Sequence, residues 1–250
     1  MRGVKKGALV LTMLLAGSMM TGCGNGKREI TIKTGDGDIV VSADDAVETV
    51  KASGKMEKKT VDIPEGSYTF SVEDMTLVNS SIQVSIVPGA EEASIEADDN
   101  FIDVLMLEAD QGSGEITLGI NGEDVYRDVK CTILIPVDVV NIDTGGIVEI
   151  DYAVPENAEK IKIHGEGASV TMVRGECAEA VYEANGSAKI NASELKVQNV
   201  TVKAEGSSVL DVYCENILEV NADGASIVNY SGNPQEVKEN SEGVSQINKK

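Results

Sequence analysis

Glu205-Gly206-Ser207-Ser208 and Asp223-Gly224-Ala225-Ser226 are two copies of one phrase, and reading them as copies decides the fold. The phrase continues in both directions as Glu166-Gly167-Ala168-Ser169, Asn185-Gly186-Ser187-Ala188 and Glu242-Gly243-Val244-Ser245. Its glycines recur at nearly even steps of about 19 residues, a period short enough for one coil of a solenoid. A unit this short cannot bury its own apolar face, so it has to stack on copies of itself. Glycine supplies the positive φ of a corner, and the small Ser or Ala behind it lets the chain turn tightly.

Between the corners the chain alternates apolar and polar residues. Val209-Leu210-Asp211-Val212 follows one glycine phrase and Leu218-Glu219-Val220-Asn221-Ala222 precedes the next, which predicts two strands per repeat. Upstream, Ser81 to Val87, Ile116 to Ile120, Asp128 to Ile135 and Lys160 to Ile163 carry the same period of two, punctuated by Pro88-Gly89, Asn121-Gly122 and Pro136. The expected fold class is all-β: a right-handed parallel β-helix-like solenoid with coils of about 19 residues over 60–248. An antiparallel sandwich is the competing architecture, but it has no need of a corner phrase that returns at an even period. Before the solenoid, Ile30 to Lys33 and Ile39 to Val41 flank Thr34-Gly35-Asp36-Gly37-Asp38, a hairpin with a glycine-rich turn. Asp44 to Ala52 has the spacing of one short amphipathic helix, and Asn100 to Glu108 fits helix or strand equally.

Residues 1–22 are expected to be a signal peptide. Arg2, Lys5 and Lys6 precede the apolar run Gly7 to Ala16, which is too short for a spanning helix. The run ends in Met20-Thr21-Gly22-Cys23, a pattern similar to a bacterial lipobox, so Cys23 is the expected lipidation site and new amino terminus. Two acyl chains there would attach the protein stably to the membrane. Residues 23–59 then comprise the anchor, a tether at 24–28 and the short N-terminal segment. Without the signal the chain carries 18 basic and 42 acidic residues, near −24. That charge repels nucleic acid and anionic headgroups, which excludes nucleic-acid binding and leaves the membrane to be reached through lipid.

Cys131, Cys177 and Cys214 remain in the exported part, an odd number. Cys177 and Cys214 lie about two repeats apart, so stacking would separate them by about 9.6 Å, beyond disulfide reach. Three free, buried thiols are expected.

The order of phrases resembles a known family. Ala222-Asp223-Gly224-Ala225-Ser226-Ile227-Val228-Asn229-Tyr230-Ser231-Gly232-Asn233-Pro234, followed by Ser241-Glu242-Gly243, is similar to the close of the auto-transporter adhesin head (GIN) domain. Ser81 to Gly89, Ser94 to Asn100 and Ile133 to Pro136 resemble its opening, so the likeness spans roughly 62–248. The resemblance implies a β-helix-like fold on an exported, often lipid-anchored bacterial protein. It carries no catalytic residues to transfer. Its implied function is surface display for adhesion or ligand binding, with a surface polysaccharide or protein as partner. A structural envelope scaffold or an envelope-state sensor is the alternative.

Three sets of residues are candidates for chemistry. Glu166, Glu205, Asp223 and Glu242 recur at one corner, where carboxylates about 4.8 Å apart would either ladder a cation such as Ca2+ or form a solvated edge that discourages aggregation. Tyr182, Tyr213 and Tyr230 could stack as a contact surface or pack between coils. His164 is the only histidine, so a metal site with two imidazoles is impossible within the chain. No Gly-x-Ser-x-Gly elbow occurs, and Arg28, Arg127 and Arg174 are too dispersed to neutralise a uronic acid as a polysaccharide lyase must. No enzyme activity and no obligatory cofactor are expected.

Overall fold

The computed structural model describes residues 29–34, 37–42 and 49–250, apart from 74, 76 and 123. Contacts divide the chain into two compact units, Met1–Val47 and Glu48–Lys250. In the first, β1 (Glu29–Thr34) pairs antiparallel with β2 (Gly37–Ser42), Thr34 opposite Gly37, which is the expected hairpin. The signal run, Cys23, the tether and residues 44–48 of the expected helix lie outside the described residues.

The second unit opens with β3 (Thr49–Lys51), β4 (Met56–Val61), β5 (Ser67–Val72), β6 (Leu77–Val78), β7 (Ser81–Ile86) and β8 (Ala93–Asp98). One short helix, α1 (Asp99–Ile102), leads into β9 (Leu105–Asp110), β10 (Glu115–Ile120), β11 (Val125–Arg127), β12 (Lys130–Ile135), β13 (Asp138–Thr144) and β14 (Glu149–Ala153). Then come β15 (Lys160–Gly165), two long strands β16 (Val170–Ala184) and β17 (Lys189–Ala204), and finally β18 (Val209–Cys214), β19 (Ile217–Ala222), β20 (Ile227–Gly232), β21 (Glu236–Ser241) and β22 (Gln246–Lys249). The protein is thus all-β, and its main sheet is nearly closed and barrel-like. The small sheet β3–β11–β6 stands apart from it. Among the described residues no helix is long and apolar enough to cross a membrane.

Two ladders make up the main sheet. One runs β9–β10–β5–β13–β15, then through the second halves of β16 and β17 to β19 and β21. The other runs β4–β8–β12–β7–β14, then through the first halves of β16 and β17 to β18, β20 and β22. From β13 onward each strand pairs in parallel with its counterpart one repeat further along the chain. The upstream part is different: β4–β8, β8–β12 and β9–β10 are antiparallel. The expectation of parallel strands throughout 60–248 is corrected on this point. The glycine phrase that marks a parallel corner begins only after β13.

The interior follows directly from period two. Phe70, Ile142, Ile163, Tyr182, Val202 and Val220 stand in register across successive strands, and all are buried. Each Val, Ile or Leu in such a row contributes about 1.5–3 kcal/mol by leaving water. The neighbouring residues on each strand face outward and are polar: Lys160, Lys162 and His164 on β15, Thr201 and Lys203 on β17. Residues 100–108 resolve into both of their predicted states, α1 with buried Phe101 and Ile102, then β9. Phe101 packs against Tyr126 at 5.0 Å between ring centroids. The helix expected from Asp44 to Ala52 does not form where that stretch is described, since Thr49–Lys51 pairs with β11.

Candidate functional site: the corner, the histidine cluster and a lateral groove

The glycine corner is a backbone ladder. Gly146, Gly167, Gly186, Gly206, Gly224 and Gly243 all have φ between 67° and 74°. The first five each accept a bond from the next repeat, as when Ser207 N–H donates to Gly186 O at 2.7 Å and Ala225 N–H donates to Gly206 O at 2.7 Å. A Cβ on Gly206 would sit 2.8 Å from Gly186 O, so the corner needs glycine for space as well as for φ. Gly146 extends the row by one repeat. Its phrase, Gly145-Gly146-Ile147, lacks both the acid or asparagine and the serine that the other phrases carry.

The four acids of that corner do not converge. Glu205 pairs with Lys203 at 2.8 Å, Asp223 accepts the N–H of Gly224 at 2.6 Å, and Glu166 faces His164 Nε2 at 3.5 Å. Asn185 interrupts the row. Among the described residues no group of three His, Cys, Asp or Glu side chains, Glu242 included, is placed to hold a metal ion.

His164 links three successive repeats. Its Nδ1 is 3.0 Å from Asp143 Oδ1, and Nε2 is 3.4 Å from Asn185 Nδ2. The ring is three-quarters covered, with 24% of the side chain exposed. Asp143 can orient the ring as the acid of a triad does, but Nε2 faces Glu166 and Asn185, neither of them a nucleophile.

The tyrosine stack is corrected. Tyr182 is 0% and Tyr230 8% exposed, both in inward rows, while Tyr213 lies outward and donates to Glu215 Oε1 at 3.0 Å. Period two puts Tyr213 and Tyr230 on opposite faces of paired strands, because Tyr213 stands opposite Ser231 and Tyr230 opposite Val212. They do not form one surface. Cys131, Cys177 and Cys214 are free and buried. Burial pushes the Cys131 thiol up to about 12, and burial with the Glu176 carboxylate pushes Cys177 up to about 11.

A lateral groove of about 880 Å3 lies between the 154–159 loop and the 175–178 segment of β16, with Lys196 and Gln198 beyond. Its volume is in the usual range of ligand clefts, about 300–1,000 Å3. Val154 and Cys177 line it, and Glu156, Glu159 and Glu176 surround it. Nothing in the glycine repeats pointed to this groove. The available signal was Pro155 with Asn157, two turn-forming residues where later repeats continue as strand.

The family model described as "Putative auto-transporter adhesin, head GIN domain" matches residues 74–234. The chain belongs to this GIN-domain family. Among solved structures, the GIN-domain chain is similar to a putative adhesin from Bacteroides fragilis NCTC 9343, with 15% identity and a TM-score of 0.61, covering 80% of this chain and 100% of the other. A protein from Parabacteroides distasonis ATCC 8503 described as a putative lipid binding protein follows at 19% identity and a TM-score of 0.44, covering 81% and 100%. A putative cell adhesion protein from Clostridium sporogenes ATCC 15579 has 13% identity and a TM-score of 0.33, covering 78% and 98%. No curated protein matches the chain. At such identities the Bacteroides likeness establishes the GIN-domain fold and nothing finer.

Proposed function

We propose that this GIN-domain chain is exported, cleaved before Cys23 and anchored there by lipid. Its body then works at the envelope, without catalysis, by binding a surface polysaccharide or protein. The observation that carries the binding reading is the adhesin-head match over residues 74–234. The body we infer is a right-handed solenoid from β13 onward, and the parallel pairing of each repeat with the next supports it. In such a body the acidic corner is a solvated edge. Glu205 and Asp223 already have local partners, and millimolar Ca2+ against chelator should leave the melting temperature unchanged.

Two measurements test the reading. Cells fed an alkyne fatty acid should label the wild-type chain and not Cys23→Ala; equal labelling of both would refute the anchor. Full-length protein should bind saturably to purified envelope polysaccharide or to host matrix protein. Failure against every such surface would leave the scaffold reading in its place.

A further inference from the structure

On the lateral side of the body, successive repeats are joined by backbone bonds. Residues 175–177 of β16 pair with 195–197 of β17. Glu215 N–H donates to Val197 O, Asn216 N–H to Gln198 O, and Gln235 N–H to Asn216 O, at 2.9, 2.8 and 2.7 Å. One step is missing. Val154 N–H reaches Arg174 O at 3.0 Å and Glu179 N–H reaches Glu159 O at 2.9 Å, but among the described residues no backbone bond joins 155–158 to 175–178.

The cause is local. Pro155 has no N–H to give a ladder, Asn157 takes φ 65°, and Ala158 N–H closes a turn onto Pro155 O at 3.2 Å. The loop curls away where a strand would otherwise lie. Gly175 still lies against the backbone of Val154, and beyond it the 176–178 segment has a partner on one side and the groove on the other. That open edge is about 10 Å long at strand rise.

We propose that this groove takes an extended, basic peptide segment of a partner protein by strand addition. An open sheet edge offers main-chain hydrogen bonds to any extended chain, and flanking side chains choose which one. Here the choice is set by charge. Glu156, Glu159 and Glu176 surround the edge, and among the described residues none of them forms an ion pair; Lys196 is the single cation of the lining. Alternate side chains of a bound segment would pack on Val154 and Cys177, and the others would carry the lysines or arginines that meet the carboxylates. This deepens the binding reading and rests on it for the partner's being outside the cell.

The probe is a fluorescent acetyl-Lys-Val-Lys-Val-Lys amide titrated into the full chain. Saturable binding is expected, weakened about tenfold by Glu159→Lys with Glu176→Lys, whereas Glu115→Lys with Glu108→Lys, an equal charge change on exposed positions of β10 and β9, leaves it unchanged. Circular dichroism checks that the variants fold. N-methylation of the peptide backbone should abolish binding, and peptide should slow amide exchange at 176–178 in the wild-type chain. Equal binding of the N-methylated peptide would reduce the effect to charge alone and overturn strand addition. Absence of saturable binding would overturn it too, as would a dimer of the free chain that Glu176→Lys dissolves, which would make the occupant a second copy. None of these outcomes bears on acylation at Cys23, so a negative result here leaves the anchoring reading standing.

Discussion

Replacing Gly206 by Ala tests whether the glycine corner is a packed ladder or merely a set of permissive turns. Two costs separate. An L-residue at φ 71° loses about 1–2 kcal/mol against a right-handed one, and reduced freedom of the unfolded chain returns about 0.4–1 kcal/mol. Gly89 isolates that pair of effects, because it has φ 78° and a Cβ there meets nothing within 4 Å. Gly89→Ala should therefore cost about 0.5–1 kcal/mol. At Gly206 the new methyl also lies 2.8 Å from Gly186 O and 3.1 Å from Gly186 N. Gly186 O cannot easily retreat, since it accepts Ser207 N–H at 2.7 Å. Overpacking of this kind adds about 1–3 kcal/mol, for a total of about 2–4 kcal/mol. In a body of this size that lowers Tm by about 5–15 °C, against about 1–4 °C for the control. Paired thermal and urea melts of the two variants decide it. Equal losses would mean that the corner selects glycine for φ alone and that the repeats are not coupled through it.

Other consequences follow from the interior and from the last repeat. Tyr182 Oη is buried with no hydrogen-bond partner, so Tyr182→Phe should raise stability by about 1 kcal/mol; a loss in urea melts would show that the hydroxyl is satisfied. The raised thiols make stability alkali-sensitive: their contribution is full below the unfolded value of 9, and it is lost as pH rises toward about 12 for Cys131 and about 11 for Cys177. Each thiol should cost about 1 kcal/mol by pH 10, and urea midpoints of Cys131→Ala should fall less steeply above pH 9 than those of the wild type. At the far end of the central interior row Glu239 stands opposite Val220, and all six residues of β21 are exposed. Glu239→Val should leave the fold intact but promote end-to-end association, measured by light scattering; a variant that stays monomeric at high concentration would refute a guarding role.

What could be read from the residues alone was whatever repeats. The glycine phrase predicted a corner, and alternation predicted β15, β18 and β19 within a residue or two, because both patterns restate a rule of backbone geometry at every turn. The misses lie where a long-range partner decides. Thr49–Lys51 has helical spacing but meets β11, far along the chain, and becomes a strand. The antiparallel pairs around β8 leave no mark in the residues, since an alternating strand is the same whichever way its neighbour runs. Tyr213 and Tyr230 lie seven and six residues after Gly206 and Gly224, and that one residue of offset moves a side chain to the other face. The groove was hidden for a different reason. It is built from an interruption, and an interruption has no period to mark it in the residues.

That contrast bears on where a repetitive body can recognise anything. Along the regular part, adjacent repeats offer nearly the same outward rows: Asp211 and Asn229 bond to each other, and Asn248 bonds to Asn229, in a ladder whose members share partners internally. Such rows use their hydrogen bonds on one another and present little that one ligand could prefer at a particular height. Specificity requires groups left unpaired at a defined place. Two places among the described residues break the regular rows in opposite ways. At β21 the inward position is held by Glu239, which turns a growing edge into a charged one and works against further pairing. At the Pro155 turn the opposite holds: the edge of 176–178 is open, its floor is apolar, and the acids around it lack partners. An edge meant only to be guarded would carry charge on its inward positions, as β21 does. The groove instead keeps Cys177 inward, only 6% exposed, and sets its charges around the edge, which is the arrangement of a site that admits a strand and selects it by sign.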